Sequence, residues 1–467
     1  MHKSLSCPPP APARRPLATA LLVALMAPGL AFAQTAREAE LEARVAELER
    51  VVQQLLAQQQ QTSTEVEEVR TTQTQQQESI TQAQAQLDQT RVGEAASAQA
   101  AQSKPILSNP DATFSYGGFV KFDAMVTDTD DGRIPDGSAG RMFYVPGTIP
   151  VTGSDGGDAY FDAHAAFSRF WLSADHVTDG GDKFKAMIEV DMFGGGSANL
   201  GNEESTNTHG VTVRHAYVSW NEWLAGQTWS NFMDVAALPE AVDFVGPTEG
   251  TIFVRQAQLR YTKGPWSFSL ENPETTVTPF GGGGKFRTGD NSLPDFTARW
   301  TTKGDWGHFA VAGLLRQYKL AEETDTGASV SLSGRFNIGA NDDIRYAVNA
   351  GQGIGRYMAF GLGTDVMADA NGNIDALDGY GAFVAWRHAF NQKLRSNLMY
   401  SRAEFDNDKA LTGFGVTEMA HSFHANLIYS PFPKLDVGAE LTYGQRFLED
   451  DREGDLRRIQ TTVKYSF

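Results

Sequence analysis

Hydrophobic and polar positions alternate one by one over the last ten residues of the chain. Ile459, Thr461, Val463, Tyr465 and Phe467 fall on one side of the pattern, and Arg458, Gln460, Thr462, Lys464 and Ser466 on the other. Successive strand side chains point to opposite faces, so this reads as a β-strand with one oily and one polar surface, suited to a wall between lipid and water. A soluble sandwich would alternate as well, and one strand cannot separate the two. The pattern recurs, however, near 114–127, 160–176, 182–193, 209–220, 222–229, 251–263, 265–272, 293–303, 306–319, 327–337, 342–353, 379–391, 393–405, 417–430, 434–446 and 456–467. About sixteen strands, an even number, predict an all-β transmembrane barrel of antiparallel strands.

The connections predict which end is which. Asn391-Gln392 and Pro431-Phe432-Pro433 read as tight periplasmic turns, whereas 128–159, 194–208, 273–291 and 448–455 read as long external loops. One further connection, from Gly226 to Pro247, is poorly explained as an exposed loop because it is so apolar; it reads as a segment folded into the barrel to narrow it, with a plain extracellular loop as the alternative reading.

Before the barrel the period changes. From Ala36 to about Thr90 the chain has no proline, glycine or aromatic residue, and one heptad frame fits throughout. Leu41, Leu48, Leu55 and Val69 fall at one core position, and Val45, Val52, Val66, Ile80 and Leu87 at the other. So narrow a stripe is buried only between helices, which predicts an α-helical coiled coil and a homo-oligomer. The Gln and Thr layers leave dimer and trimer both open, and a solvated Gln-rich spacer is the alternative reading beyond Gln58. Upstream, Lys3, Arg14 and Arg15 precede an apolar run from Leu17 to Leu30, and Ala31-Phe32-Ala33 reads as a signal-peptide cleavage site. The expected organisation is a signal peptide (1–33), a coiled coil (34–92) in the periplasm, a linker rich in small residues and proline (93–113), and a barrel in the bacterial outer membrane (114–467).

Composition removes several alternatives. The net charge is −18, and the predicted signal carries three basic residues and no acidic one, so the mature chain is more acidic still. That argues against nucleic acid as a partner. Cys7, the only cysteine, lies in the signal, leaving no disulfide, thiol nucleophile or cysteine metal site. A mean hydropathy of −0.34 does not argue against a barrel, which needs only alternate residues to be apolar.

Sorting each strand into two faces exposes a chemical pattern. Phe184, Ala186, Ile188, Val190 and Met192 face lipid and leave Lys185, Glu189 and Asp191 inside. By the same test Gln256, Gln258, Arg169, Arg260, Arg299, Arg316, Arg335, Arg345, Arg387, Arg395 and Arg458 turn inward. Arginine thus dominates the expected lumen of an acidic protein, and its forked donors suit carboxylate or phosphate. The competing reading is that these arginines only pair with Glu189, Asp191, Asp343 and Glu440 to order the wall. His215 falls on a mixed face.

The signal, the coiled-coil prefix, the segment Phe184 to Gly194, Arg214-His215-Ala216-Tyr217, the stretch Gly226 to Pro247 and the terminal phenylalanine together resemble the DcaP-like family of trimeric outer-membrane porins. The resemblance implies a sixteen-stranded barrel, a trimer with an N-terminal periplasmic coiled coil, and diffusion of small organic anions such as dicarboxylates. It also makes Phe467 an expected recognition signal for outer-membrane assembly.

Enzyme signatures are absent: there is no Gly-x-Ser-x-Gly, no His-Glu-x-x-His and no phosphate-binding glycine loop. No cofactor or metal is expected, since Asp128-Thr129-Asp130-Asp131-Gly132 only partly matches a calcium loop. The sequence therefore predicts a non-enzymatic porin whose partners are copies of itself, outer-membrane lipid and small anionic solutes. The alternative is a structural or adhesive barrel tethered through its coiled coil, which would have a plugged lumen.

Overall fold

The computed structural model describes residues 104–109, 112–154, 156–193, 207 and 209–467. The expected signal peptide and coiled coil lie outside these residues, as does most of the 194–208 loop.

Sixteen antiparallel staves form one closed sheet. They are β1 (Ala112–Thr129), β2 (Tyr160–His164 and Arg169–Val177), β3 (Lys183–Asp191), β4 (Thr212–Trp220), β5 (Trp223–Trp229), β6 (Arg255–Lys263), β7 (Trp266–Glu271) and β8 (Asp295–Gly304). They continue as β9 (Gly307–Leu320), β10 (Glu323–Ile338), β11 (Asp342–Gln352), β12 (Asp378–Ala389), β13 (Leu394–Asp406), β14 (Thr417–Tyr429), β15 (Leu435–Leu448) and β16 (Glu453–Ser466). Both pieces of β2 pair with β1, so they make one stave broken at residues 165–168. Closure comes from β1 against β16, in register from Phe119 opposite Ser466 to Thr129 opposite Leu456. The periodicity located all sixteen, with ends displaced by a few residues. A closed barrel is the one sheet with no unpaired edge, and lipid tolerates no other.

Residues 104–109, assigned to the linker by composition, form a short strand whose backbone pairs with residues 112–116 of β1. The C-terminus ends beside it, where the Phe467 N–H donates to the Gly118 carbonyl at 3.1 Å and its ring lies 5.4 Å from Phe170.

All connections at one end of the barrel are short turns, and the Asn391 and Pro431 turns are among them. The other end carries the long loops, with two exceptions: β9 and β10 join through Ala321-Glu322, where Ala321 takes φ 54°, and β15 and β16 join through residues 449–452 alone. The long external loop expected at 448–455 is instead a tight turn whose flanking residues extend the two strands. Side chains alternate as a barrel wall requires. Phe122, Phe170, Ile188, Trp223, Leu259, Val330, Val384 and Ile459 stand exposed on the outside, facing lipid. Between Trp386, Leu398, Phe423 and Leu441 this outer face dips into an apolar groove of about 490 Å³.

Candidate functional site in the barrel lumen

The lumen is shaped by the connection between β5 and β6, residues 230–254, which turns inward. Its path follows from a sequence of anchors around the wall. Asn231 donates to the Ser267 carbonyl on β7 at 3.1 Å and to Thr297 on β8 at 2.9 Å. Asp234 meets His308 on β9 and Ser333 on β10, both at 2.8 Å. Arg345 on β11 donates to the Leu238 carbonyl at 2.5 Å, and Arg395 on β13 forms an ion pair with Glu240 at 2.5 Å. Val242 then hydrogen bonds to Glu440 on β15 at 2.7 Å and to Lys121 on β1 at 3.0 Å. The loop therefore lines the inner wall from β7 round to β1 before returning, where Gly250 bonds Ser401 on β13 and Asn349 on β11.

Local chemistry supports this course. Asp234 caps the short helical turn Val235–Ala237 by accepting from the Ala236 N–H at 3.1 Å. Asp243 accepts from the N–H groups of Val245 and Gly246, and Gly246 takes φ 81°, which favours glycine. The expectation that the apolar 226–247 stretch folds into the barrel matches this geometry, because its apolar side chains join buried clusters: Phe232 and Met233 with Tyr357, Val245 with Phe143 and Phe167.

Two other long-end loops enter the lumen. In the loop after β1, Arg141 pairs with Asp162 at 2.8 Å and Arg458 donates to the Gly140 carbonyl at 2.5 Å. In the loop after β11, Asp365 binds Arg316 at 2.7 Å, and Arg356 and Tyr357 reach Asp295 at 3.2 and 2.8 Å.

The arginines sorted inward by sequence divide into two groups. Arg316 is wholly buried between Asp295 and Asp365, at 0% side-chain exposure. Arg345 and Arg387 share Asp343 at 2.8 and 3.5 Å, Arg395 bridges Glu240 and Asp436, and Arg169 lies 3.6 Å from Glu189. Arg335 is buried on β10. Arg260 and Arg299 differ: they donate to the Trp229 and Met233 carbonyls of the loop root, the latter at 2.8 Å. Among the described residues neither has a carboxylate at ion-pairing distance, and the Nε of each lacks a hydrogen-bond partner.

Sequence sorting missed three strand arginines, one of them Arg446 on β15, which donates to the Gly147 and Ile149 carbonyls of the loop after β1. Arg214 is 2% exposed and binds Glu189 and Asp191 at 2.8 and 2.7 Å. A register shift opposite Glu189 and Val190 brings both Arg214 and His215 inside, which strict alternation forbids. The same bulge resolves the mixed face of His215, which is buried and bonds Thr228 at 2.9 Å. Arg255 shares a sequence face with lipid-facing Leu259 but begins β6 at the loop root, with its guanidinium 4.9 Å from the Trp229 ring centre. It too has no carboxylate at ion-pairing distance among the described residues.

A sixteen-stranded barrel with an apolar belt, a polar lumen and an inward loop defines an outer-membrane channel of the porin class. The chain belongs to the DcaP outer membrane protein family, whose sequence profile matches residues 48–467. Among solved structures, it is similar to the outer membrane channel DcaP of Acinetobacter baumannii, at 25% identity and a TM-score of 0.65, covering 78% of this chain and 99% of that one. More distant are the anion-selective porin of Comamonas acidovorans (10% identity, TM-score 0.49, 76% and 100% covered) and a loop-deleted OmpT of Vibrio cholerae (12%, 0.48, 76% and 100%). No curated protein sequence matches the chain.

Proposed function

We propose that this channel passes small organic anions, dicarboxylates among them, in preference to cations. The observation that supports the reading is the state of Arg255, Arg260 and Arg299: three half-buried guanidinium groups held by aromatic and main-chain contacts, with no carboxylate partner within ion-pairing distance among the described residues. A cation whose direct contacts are neutral, with carboxylates only beyond ion-pairing distance, keeps part of its charge available to a passing solute. In a channel walled by a low dielectric that charge raises the local anion concentration. The ion-paired Arg316, Arg345 and Arg395 contribute to shape and not to this field.

The working unit is a homotrimer, with residues 34–92 as a periplasmic coiled coil behind a cleaved signal. This assignment rests on the heptad pattern and the resemblance of the sequence to trimeric porins.

Planar-bilayer reversal potentials in a salt gradient test the selectivity. Replacing Arg255, Arg260 and Arg299 together with glutamate should lower the anion-to-cation permeability ratio by a factor on the order of ten, most strongly at low ionic strength. An unchanged ratio in the folded, conducting variant would exclude these side chains as the selectivity determinants.

A further inference from the structure

The far end of the inward loop holds more acid than its surroundings neutralise. Glu249, 0% exposed, accepts only from hydroxyl groups of other residues: Tyr144 at 2.6 Å, from the loop after β1, and Ser422 on β14 at 2.7 Å. Asp243 accepts from the main-chain N–H of Tyr144 at 2.8 Å and from two N–H groups of its own turn. Around them β15 contributes Glu440, β14 the imidazole of His424, β1 the pair Lys121 and Asp123, and β16 Arg458. Four carboxylates thus face two cations and one imidazole, and His424 is committed to Glu440 at 3.1 Å.

Glu249 is the least compensated of the four. The two hydroxyl donors favour the carboxylate but, being neutral, offset only part of the cost of burying its charge, so burial wins. Burial pushes the Glu249 carboxyl above its usual range, and burial with Glu440 alongside does the same to Asp243. The loop already lies against the wall, so a tip released at residues 243–250 has only the lumen to enter.

We propose that Glu249 is a positioning residue through which protons control the channel: protonated, it docks the loop tip to Tyr144 and Ser422, and deprotonated, it releases the tip to interrupt the current. The direction follows from linkage. A carboxyl titrating higher when docked than when solvated favours docking at low pH, and that advantage is lost as pH rises through the docked value.

Single-channel recordings between about pH 5 and about pH 8 test this. Brief closures should become more frequent as pH rises in the unaltered protein, and Glu249→Gln should remove that dependence. Tyr144→Phe deletes one donor to the carboxylate, so it should move the midpoint to higher pH; each unit of displacement is about tenfold in the docking equilibrium. A pH-independent closure rate in the unaltered protein, or an unchanged profile in Glu249→Gln, would overturn the proposal. If Glu249→Gln does not assemble, an unmoved midpoint in Tyr144→Phe decides against it equally. Reversal potentials recorded in parallel keep this outcome separate from the anion preference.

Discussion

Glu440 on β15 captures the main-chain N–H of Val242 at 2.7 Å, while the carbonyl of the same residue accepts from Lys121 on β1. One loop residue is thus fixed through both of its backbone groups by staves on either side of β16. This makes the barrel wall, and not the loop's own fold, the frame that sets where the inward loop lies.

Glu440→Leu should loosen that frame. It leaves the Val242 N–H and the Asn426 amide without their acceptor, at a cost of about 1–3 kcal/mol for the buried N–H alone. A lowered unfolding temperature and noisier channel currents are expected. Glu440→Gln keeps an acceptor at the same reach and should change both far less; equal losses in the two variants would count against the anchor.

Arg316 and Arg299 should separate stability from selectivity. Arg316→Met leaves buried Asp365 without its cation and Asp295 with only Arg356, and is expected to cost about 3–5 kcal/mol, seen as loss of heat-resistant folded barrel on gels. Arg299→Met gives up a bond to a carbonyl and strands no ion partner, so it should fold well and lower anion preference instead. The reverse assignment of effects would contradict the division of arginines drawn from their partners.

Asp234 should act oppositely to Glu249 with pH. Burial raises its carboxyl, but the hydrogen bond and charge of His308, with Arg299 and Ser333, outweigh burial and hold it below the usual range. A depressed carboxyl stabilises the docked loop above its solvated value and loses that contribution as pH falls through the docked one. Asp234→Asn should therefore lower thermal stability near neutral pH, with the deficit shrinking in acid. A deficit that stayed constant from neutral to acid pH would refute the ionised state.

Removing residues 34–104 should weaken the assembly. If buried heptad layers hold the subunits, the shortened protein should dissociate at a lower temperature in gel electrophoresis of the folded complex. A trimer of undiminished heat resistance would reduce the segment to a spacer.

The barrel itself was legible in the sequence. A strand's period of two is a local property, and a wall between lipid and water imposes it on every stave, so counting alternating segments located all sixteen. Face sorting likewise put Arg260, Arg299 and Arg316 inside. It could not tell that Arg316 would meet Asp295 and Asp365 while Arg299 met only a carbonyl, because those partners lie 21, 49 and 66 residues away along the chain. Nor could alternation foresee Arg214, since a single inserted residue shifts the register and turns an outward position inward. The sequence by itself determined the strands, their faces and the excess of arginine. Only the tertiary structure decided which of those charges are neutralised, because neutralisation depends on contacts that barrel closure and the inward loops bring together.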